Sequence, residues 1–333
     1  MNNNKGFKKY CPLNHQKGLT VIELMIALTL GLVLVAGFIQ ILLANRQTSQ
    51  VQEAVARVQE SGRVVMEYLA REIRAADYWG CAKDITNFTN HIDTTSAGYV
   101  ATLNDYTNFQ GISGTDDDGF NGSDSITLTS LFGDELPLVA QMSTGNDPIQ
   151  VTPSNNLLSV GDIVFVSNCS GGDIFQITHG NPGDDGFVRR DANASPGNQA
   201  VNCAKTGASA CAACLCQNYG REATLHTQLN RKTYFITQMV GDNEPALMMQ
   251  DLTNPDPDTN TVPIASGIQN MQILYGQDLN DDGSANRYVD VDDAGLDLND
   301  VVSVKISLSI ASPDQSINKT YTTTVLVRNR ITQ

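Results

Sequence analysis

The chain has 333 residues and a formal net charge of −15. That length affords a sizeable core in one large domain or two small ones. The acidity excludes a protein that grips a nucleic-acid backbone, because no basic stripe is available to neutralise phosphates. Beyond the first 18 residues, Lys and Arg are scattered singly apart from Arg189-Arg190 and Arg231-Lys232.

The first element is a short basic leader with Lys5, Lys8, Lys9 and Lys17 and no acid. From Leu19 to Ala44 the only ionisable side chain is Glu23, and at 1.5 Å per residue this stretch reaches roughly 39 Å, enough to cross a bilayer core. The positive-inside bias places the leader in the cytoplasm and the acidic bulk of the chain outside. An acid beside hydrocarbon is costly and marks a functional position.

A secretory signal peptide is cut after small residues beyond its apolar stretch. Here the small residue, Gly18, precedes that stretch. Cleavage after Gly18 removes only the leader and creates an amine at Leu19, four residues from Glu23. The arrangement resembles a class III signal, the prepilin-peptidase site of type IV pilins and type II secretion pseudopilins. The resemblance implies cleavage after Gly18, N-methylation of Leu19, and pairing of Glu23 with the N-terminal amine of a neighbouring subunit during filament assembly. A carboxylate near hydrocarbon is stabilised by such an opposite charge. Leu19 departs from the phenylalanine usual at that position in the family.

Loss of the four leader lysines takes the net charge from −15 to −19. Cys11 leaves with the leader, so the exported chain keeps Cys81, Cys169, Cys203, Cys211, Cys214 and Cys216. An even set in an oxidising compartment is read as disulfides in preference to zinc ligands. Cys214 and Cys216 are too close to bridge comfortably, so partners from farther away, Cys81 or Cys169 included, are expected.

Beyond Ala44, Val51, Ala54, Val55, Val58, Val65, Leu69 and Ile73 recur at three- and four-residue steps among polar residues. The pattern predicts one helix continuing to about residue 76, with Gly31, Gly37 and Gly62 as weak points. Gly80 is its expected stop and Cys81 a staple for its end. The run Arg74-Ala75-Ala76-Asp77-Tyr78-Trp79-Gly80-Cys81, preceded by Arg71 and Ile73, resembles the helix end of the minor pilin PilW family.

The remainder reads as β-rich, with strands expected at 125–131, 136–142, 162–169, 173–179, 232–240, 246–252, 267–276, 300–311 and 320–328. Val302, Val304, Ile306, Leu308 and Ile310 alternate with Ser303, Lys305, Ser307 and Ser309, the mark of a half-buried strand. Polar stretches at 181–202 and 254–263 are expected to be loops.

Asp278, Asn280 and Asp282, followed by Gly283, match the opening of a calcium loop. An EF-hand requires glutamate at its twelfth position, where this chain has Val289; Asp290 and Asp292 lie just beyond as stand-ins. Tyr275-Gly276 before this loop resembles the PilW pattern of tyrosine-glycine followed by an Asp/Gly-rich turn. Asp116-Asp117-Asp118-Gly119 with Asp124 is a second acidic segment, read as a turn. The exported histidines His91, His179 and His226 lack metal spacing, and no nucleophile elbow or P-loop occurs. A non-enzymatic protein with no required cofactor is therefore expected, calcium being the one candidate ion.

These readings give an α+β, pilin-like architecture: a leader at 1–18, a helix at 19–80 that spans the membrane to about residue 44, and a β-rich antiparallel head at 81–333. The family resemblance implies a minor pilin in the inner membrane, single-pass, with cytoplasmic N-terminus and periplasmic head, extracted to the cell surface with the pilus. Its implied partners are prepilin peptidase, the major pilin, other minor pilins and the inner-membrane assembly platform. Two alternatives are a type II secretion pseudopilin and an adhesin head on a pilin stalk.

Overall fold

The computed structural model describes residues 18–82, 85–100, 109–154, 156–191, 194–201, 203, 214–238, 244–254 and 256–331. By packing, the chain divides into two units, Met1–Glu53 and Ala54–Gln333. Helix α1 runs over Val21–Ala75 without a break at Gly31, Gly37 or Gly62. In the first unit its apolar side chains are exposed, Leu32 and Leu34 at 75% each. Val51, expected on the packing face, is exposed as well. In the second unit the face closes: Val58, Val65, Leu69, Ala70 and Ile73 are buried, the three- and four-residue spacing that puts them on one stripe.

The head contains two large sheets, antiparallel except for one pair, as the alternation and turn spacing anticipate. In the larger, β1 (Phe88–Asn90), β6 (Gly171–Gln176), β5 (Ile163–Asn168), β8 (Thr224–Gln238), β3 (Ser125–Pro137) and β2 (Ile112–Thr115) follow in that spatial order. β9 (Pro245–Asp251) joins the other half of β8, and β10 (Thr261–Ser266) pairs with β9. β1 and β6 are parallel. The smaller sheet runs β12 (Arg287–Val289), β11 (Ile268–Gln277), β13 (Val301–Ala311), β14 (Asn318–Leu326). A two-stranded ribbon of β4 (Ile149–Gln150) and β7 (Phe187–Val188) and a four-residue helix α2 (Pro182–Asp185) lie in the connections.

The alternating strand is β13: Val304, Ile306, Leu308 and Ile310 are buried, while Ser307 and Ser309 pair their hydroxyls with Thr322 and Thr320 of β14 on the polar face. The α1 stripe meets this buried face, together with Ile112, Ile126 and Tyr234 of the larger sheet, in one core. A second core surrounds Val164, Phe175, Tyr219 and Leu225, and a third is aromatic, with Trp79, Phe88, Phe109 and Phe165 in mutual contact.

Three expectations are corrected. Residues 125–131 and 136–142 are not two strands; β3 is one strand to Pro137, and Gly133 (φ +87°) sits in a bulge where the pairing with β8 shifts. The polar stretch at 254–263 ends inside β10, where Pro263 is tolerated because the strand is an edge and its register slips there. Cysteine pairing keeps distant groups apart: Cys81 bonds Cys169, and Cys203 bonds Cys216 within the cluster. Cys214 is disulfide-bonded too. Cys211, like Cys11, lies outside the described residues.

Candidate functional site

Thr20, at the start of α1, is followed three residues later by Glu23, the spacing of a capping box. The structure forms it. Glu23 Oε2 accepts from the Thr20 N–H and hydroxyl, each at 3.0 Å, and the Thr20 hydroxyl oxygen accepts the Glu23 N–H at 3.3 Å. These bonds satisfy donors that a helix start leaves open, and an acid there also suits the helix dipole. Thr20 is the residue that sequence reading passed over, although Thr-x-x-Glu ahead of an apolar run is itself a signal. Gly18 and Leu19 stand outside the helix and exposed, Leu19 at 79%. Glu23 is thus held within one turn of the Gly18–Leu19 bond. The helix is long and apolar enough to cross a membrane.

At its other end α1 stops at Ala75, one residue from the expected end and ahead of Gly80. Asp77 takes the left-handed conformation (φ 59°), and its N–H donates to the Thr129 carbonyl at 2.8 Å. Its carboxylate accepts from Trp79 Nε1 at 2.8 Å and pairs with Arg330 Nε at 2.5 Å. Asn329 Nδ2 donates to the Ala76 carbonyl at 2.8 Å, one of the carbonyls a helix end leaves open. Gly80 (φ +71°) permits a close approach instead, since a side chain there would meet His226 Nε2 and Ser167 Oγ, both at 3.1 Å. It lets the chain pass close to β8 before Cys81 bonds Cys169.

The acidic loop after β11 closes on itself. Asp278 accepts the N–H groups of Asn280 at 3.1 Å and Gly283 at 2.7 Å; Asn280 Nδ2 donates to Asp282 at 3.1 Å; Asp282 accepts Ser284 N–H at 2.8 Å. Desolvation opposes ionisation of Asp278, and the backbone donors outweigh it, holding its carboxyl below the usual range. The charge of Asp290, the expected stand-in ligand, also bears on Asp116. Partial desolvation and the charges of Asp124, Asp290 and Asp117 together push the Asp116 carboxyl up to about 6.

His91 meets Asp173 at 2.6 Å, and Tyr219 donates to the same buried carboxylate at 2.5 Å. Cys216 Sγ lies beside them but is committed to its disulfide, so the group is a satisfied core network and not a ligand set. The thiol of a Cys–His catalytic pair is likewise absent among the described residues, where every cysteine is oxidised.

Two family models match the chain. The prokaryotic N-terminal methylation motif covers residues 13–39, and PilW, type IV pilus-assembly protein W, covers residues 233–332. No curated protein and no solved structure matches it. The first match contains Gly18, Leu19 and the Thr20–Glu23 box; the second contains Tyr275, the Asp278 loop, β13, β14 and the Arg330 that holds the end of α1. Over residues 233–332 the chain is similar to the PilW family of type IV pilus-assembly proteins, and over residues 13–39 it carries the N-terminal methylation motif.

Proposed function

We propose that the chain is cleaved after Gly18, methylated at Leu19, and incorporated through Glu23 into a complex of minor pilins that initiates or caps the pilus. The observation that carries this reading is Glu23 itself. It is the single ionisable side chain between Leu19 and Ala44, and the capping box fixes its carboxylate one turn from the amine that cleavage creates. A stretch of exposed leucine, valine and isoleucine needs lipid before assembly and neighbouring helices after it. In either setting the new ammonium group of an adjacent subunit is the partner that offsets a carboxylate near hydrocarbon.

The topology follows from charge: leader in the cytoplasm, head in the periplasm, then at the cell surface with the pilus. The partners are prepilin peptidase, the inner-membrane assembly platform, other minor pilins and the major pilin. Deletion of the gene tests the branch. Loss of surface pili with protein secretion intact is expected; normal piliation with failed secretion contradicts the assignment and points to a type II pseudopilus.

A further inference from the structure

Between β2 and β3, Asp116, Asp117 and Asp124 each present one carboxylate oxygen so that all three lie within 4.8 Å of one another. Asp124 is the fixed member. It is buried at 3%, and its two oxygens accept the N–H of Asp117 at 3.0 Å and of Ile273 at 2.6 Å. Asp116 and Asp124 share a hydrogen bond between their carboxyl groups, and the charge of Asp290 also bears on Asp116. Asp290 follows Val289, which the pairing of β11 with β12 sets opposite Tyr275.

Tyr275 supplies an independent observation. Its side chain is 1% exposed and its hydroxyl has no hydrogen-bond partner. A buried hydroxyl normally finds one. The hydroxyl lies against Gly114, in the space a Cβ there would take, beneath the strand that leads into Asp116. Both Asp124 and Asp116 act on it electrostatically. An unpartnered polar group thus borders the acidic cluster from the inside.

We propose that Asp116, Asp117 and Asp124, with the Tyr275 hydroxyl beneath, bind a calcium ion. All the donors are hard oxygens and three are carboxylates, the chemistry that selects calcium over zinc or copper. Magnesium is disfavoured because the donors come from an irregular turn on two chain segments, whereas it demands near-octahedral geometry and keeps its waters. The ion offsets the mutual repulsion of the carboxylates and gives the hydroxyl a polar neighbour. It also clasps the two sheets, since the same turn already reaches β11 through Asp124 N–H to the Met271 carbonyl at 2.9 Å and Gln272 Nε2 to the Gly122 carbonyl at 2.7 Å. The site is separate from the Asp278 loop.

The test uses the full chain in detergent micelles, stripped of ions with a chelator and then titrated with calcium while its thermal midpoint is followed. A rise of several degrees is expected, half-complete at about 0.1–1 mM as for extracellular calcium modules. Asp116→Asn should weaken the response at least about tenfold, or about 1.4 kcal/mol, while Asp282→Asn leaves it unchanged. Asp116 is chosen because Asp124 also holds two backbone N–H groups. Terbium luminescence excited through tyrosine gives a second readout, expected for the unaltered chain and lost in Asp116→Asn. No response to about 10 mM calcium, an unchanged response in Asp116→Asn, or loss of the response in Asp282→Asn each overturns the proposal.

Discussion

Arg330 reaches back 253 residues to place its guanidinium 2.5 Å from the carboxylate of Asp77, where α1 has just ended. Both side chains are largely buried, at 7% and 12% exposure. The guanidinium also donates to the carbonyls of Val301, at 3.0 Å, and Leu298. The PilW-matched segment therefore holds the end of the helix through its last residues. Removing one partner of a buried pair leaves the other charge stranded, at about 3 kcal/mol or more. Arg330→Ala should lower unfolding stability by that order, read by denaturant titration of the full chain in micelles; Arg330→Lys recovers part, since it restores charge but not the planar fork.

Gly62 answers a different requirement. A Cβ added there would stand 2.5 Å from Cε2 of Tyr321, so β14 packs against the helix only because the side chain is missing. Gly31, by contrast, has no atom within 4 Å of the same test position. In a helix, alanine is favoured over glycine by up to about 1 kcal/mol. Gly31→Ala should be neutral or slightly stabilising, whereas Gly62→Ala should destabilise despite the propensity gain, by about 1–3 kcal/mol as for an overpacked core. Thermal unfolding of the two variants side by side checks the contrast.

His226 predicts a pH dependence. Burial pulls its imidazole below the ordinary 6.5, and Glu135, 3.9 Å from Nδ1, only partly opposes this. Nε2 faces Gly80 and has no hydrogen-bond partner. Because the folded chain binds this proton less readily than the unfolded one, the contribution of His226 to stability is complete above about 6.5 and is lost as pH falls through the folded value. Thermal midpoints measured from pH 7.5 down to 5 should decline, and His226→Gln should flatten this part of the curve.

The first disulfide joins residues 88 apart, Cys81 and Cys169, beside the aromatic core. Closing so long a loop in the unfolded chain is worth about 2–4 kcal/mol. The double replacement Cys81→Ser, Cys169→Ser should lower stability by that amount, and equal denaturation midpoints for the oxidised wild type and the double variant would count against it.

What could be read from the sequence was what periodicity or local spacing encodes. The alternation from Val302 to Ile310 became β13, and the stripe from Val58 to Ile73 became the packing face. The membrane-length run and Glu23 were equally plain. Elements of two to four residues, such as β1, β2 and β12, carry too short a pattern to register. The helix end near residue 76 was legible, but not that Asp77 takes a left-handed conformation ahead of Gly80, held by Arg330 and Thr129 from distant segments. Gly133 looked like a turn and is a bulge, because both sides of it pair with the same strand. The acidic cluster was legible only as a turn; Tyr275 comes to lie near it through tertiary packing, which local spacing cannot show.

Glu23→Ala separates processing from assembly. Cleavage after Gly18 should remain, since the peptidase bond is untouched, while incorporation into filaments is lost because the neighbouring amine has no carboxylate to pair with. Leader removal is read by mass spectrometry and incorporation by the amount of chain in surface filaments; full incorporation of the variant would remove the pairing argument.

The most direct measurement is an immunoblot of pili sheared from the cell surface, scored for this chain against the major pilin. The account predicts the mature chain, beginning at Leu19, in the sheared fraction at a small fraction of the major subunit. A chain found only in the membrane fraction of piliated cells would contradict it.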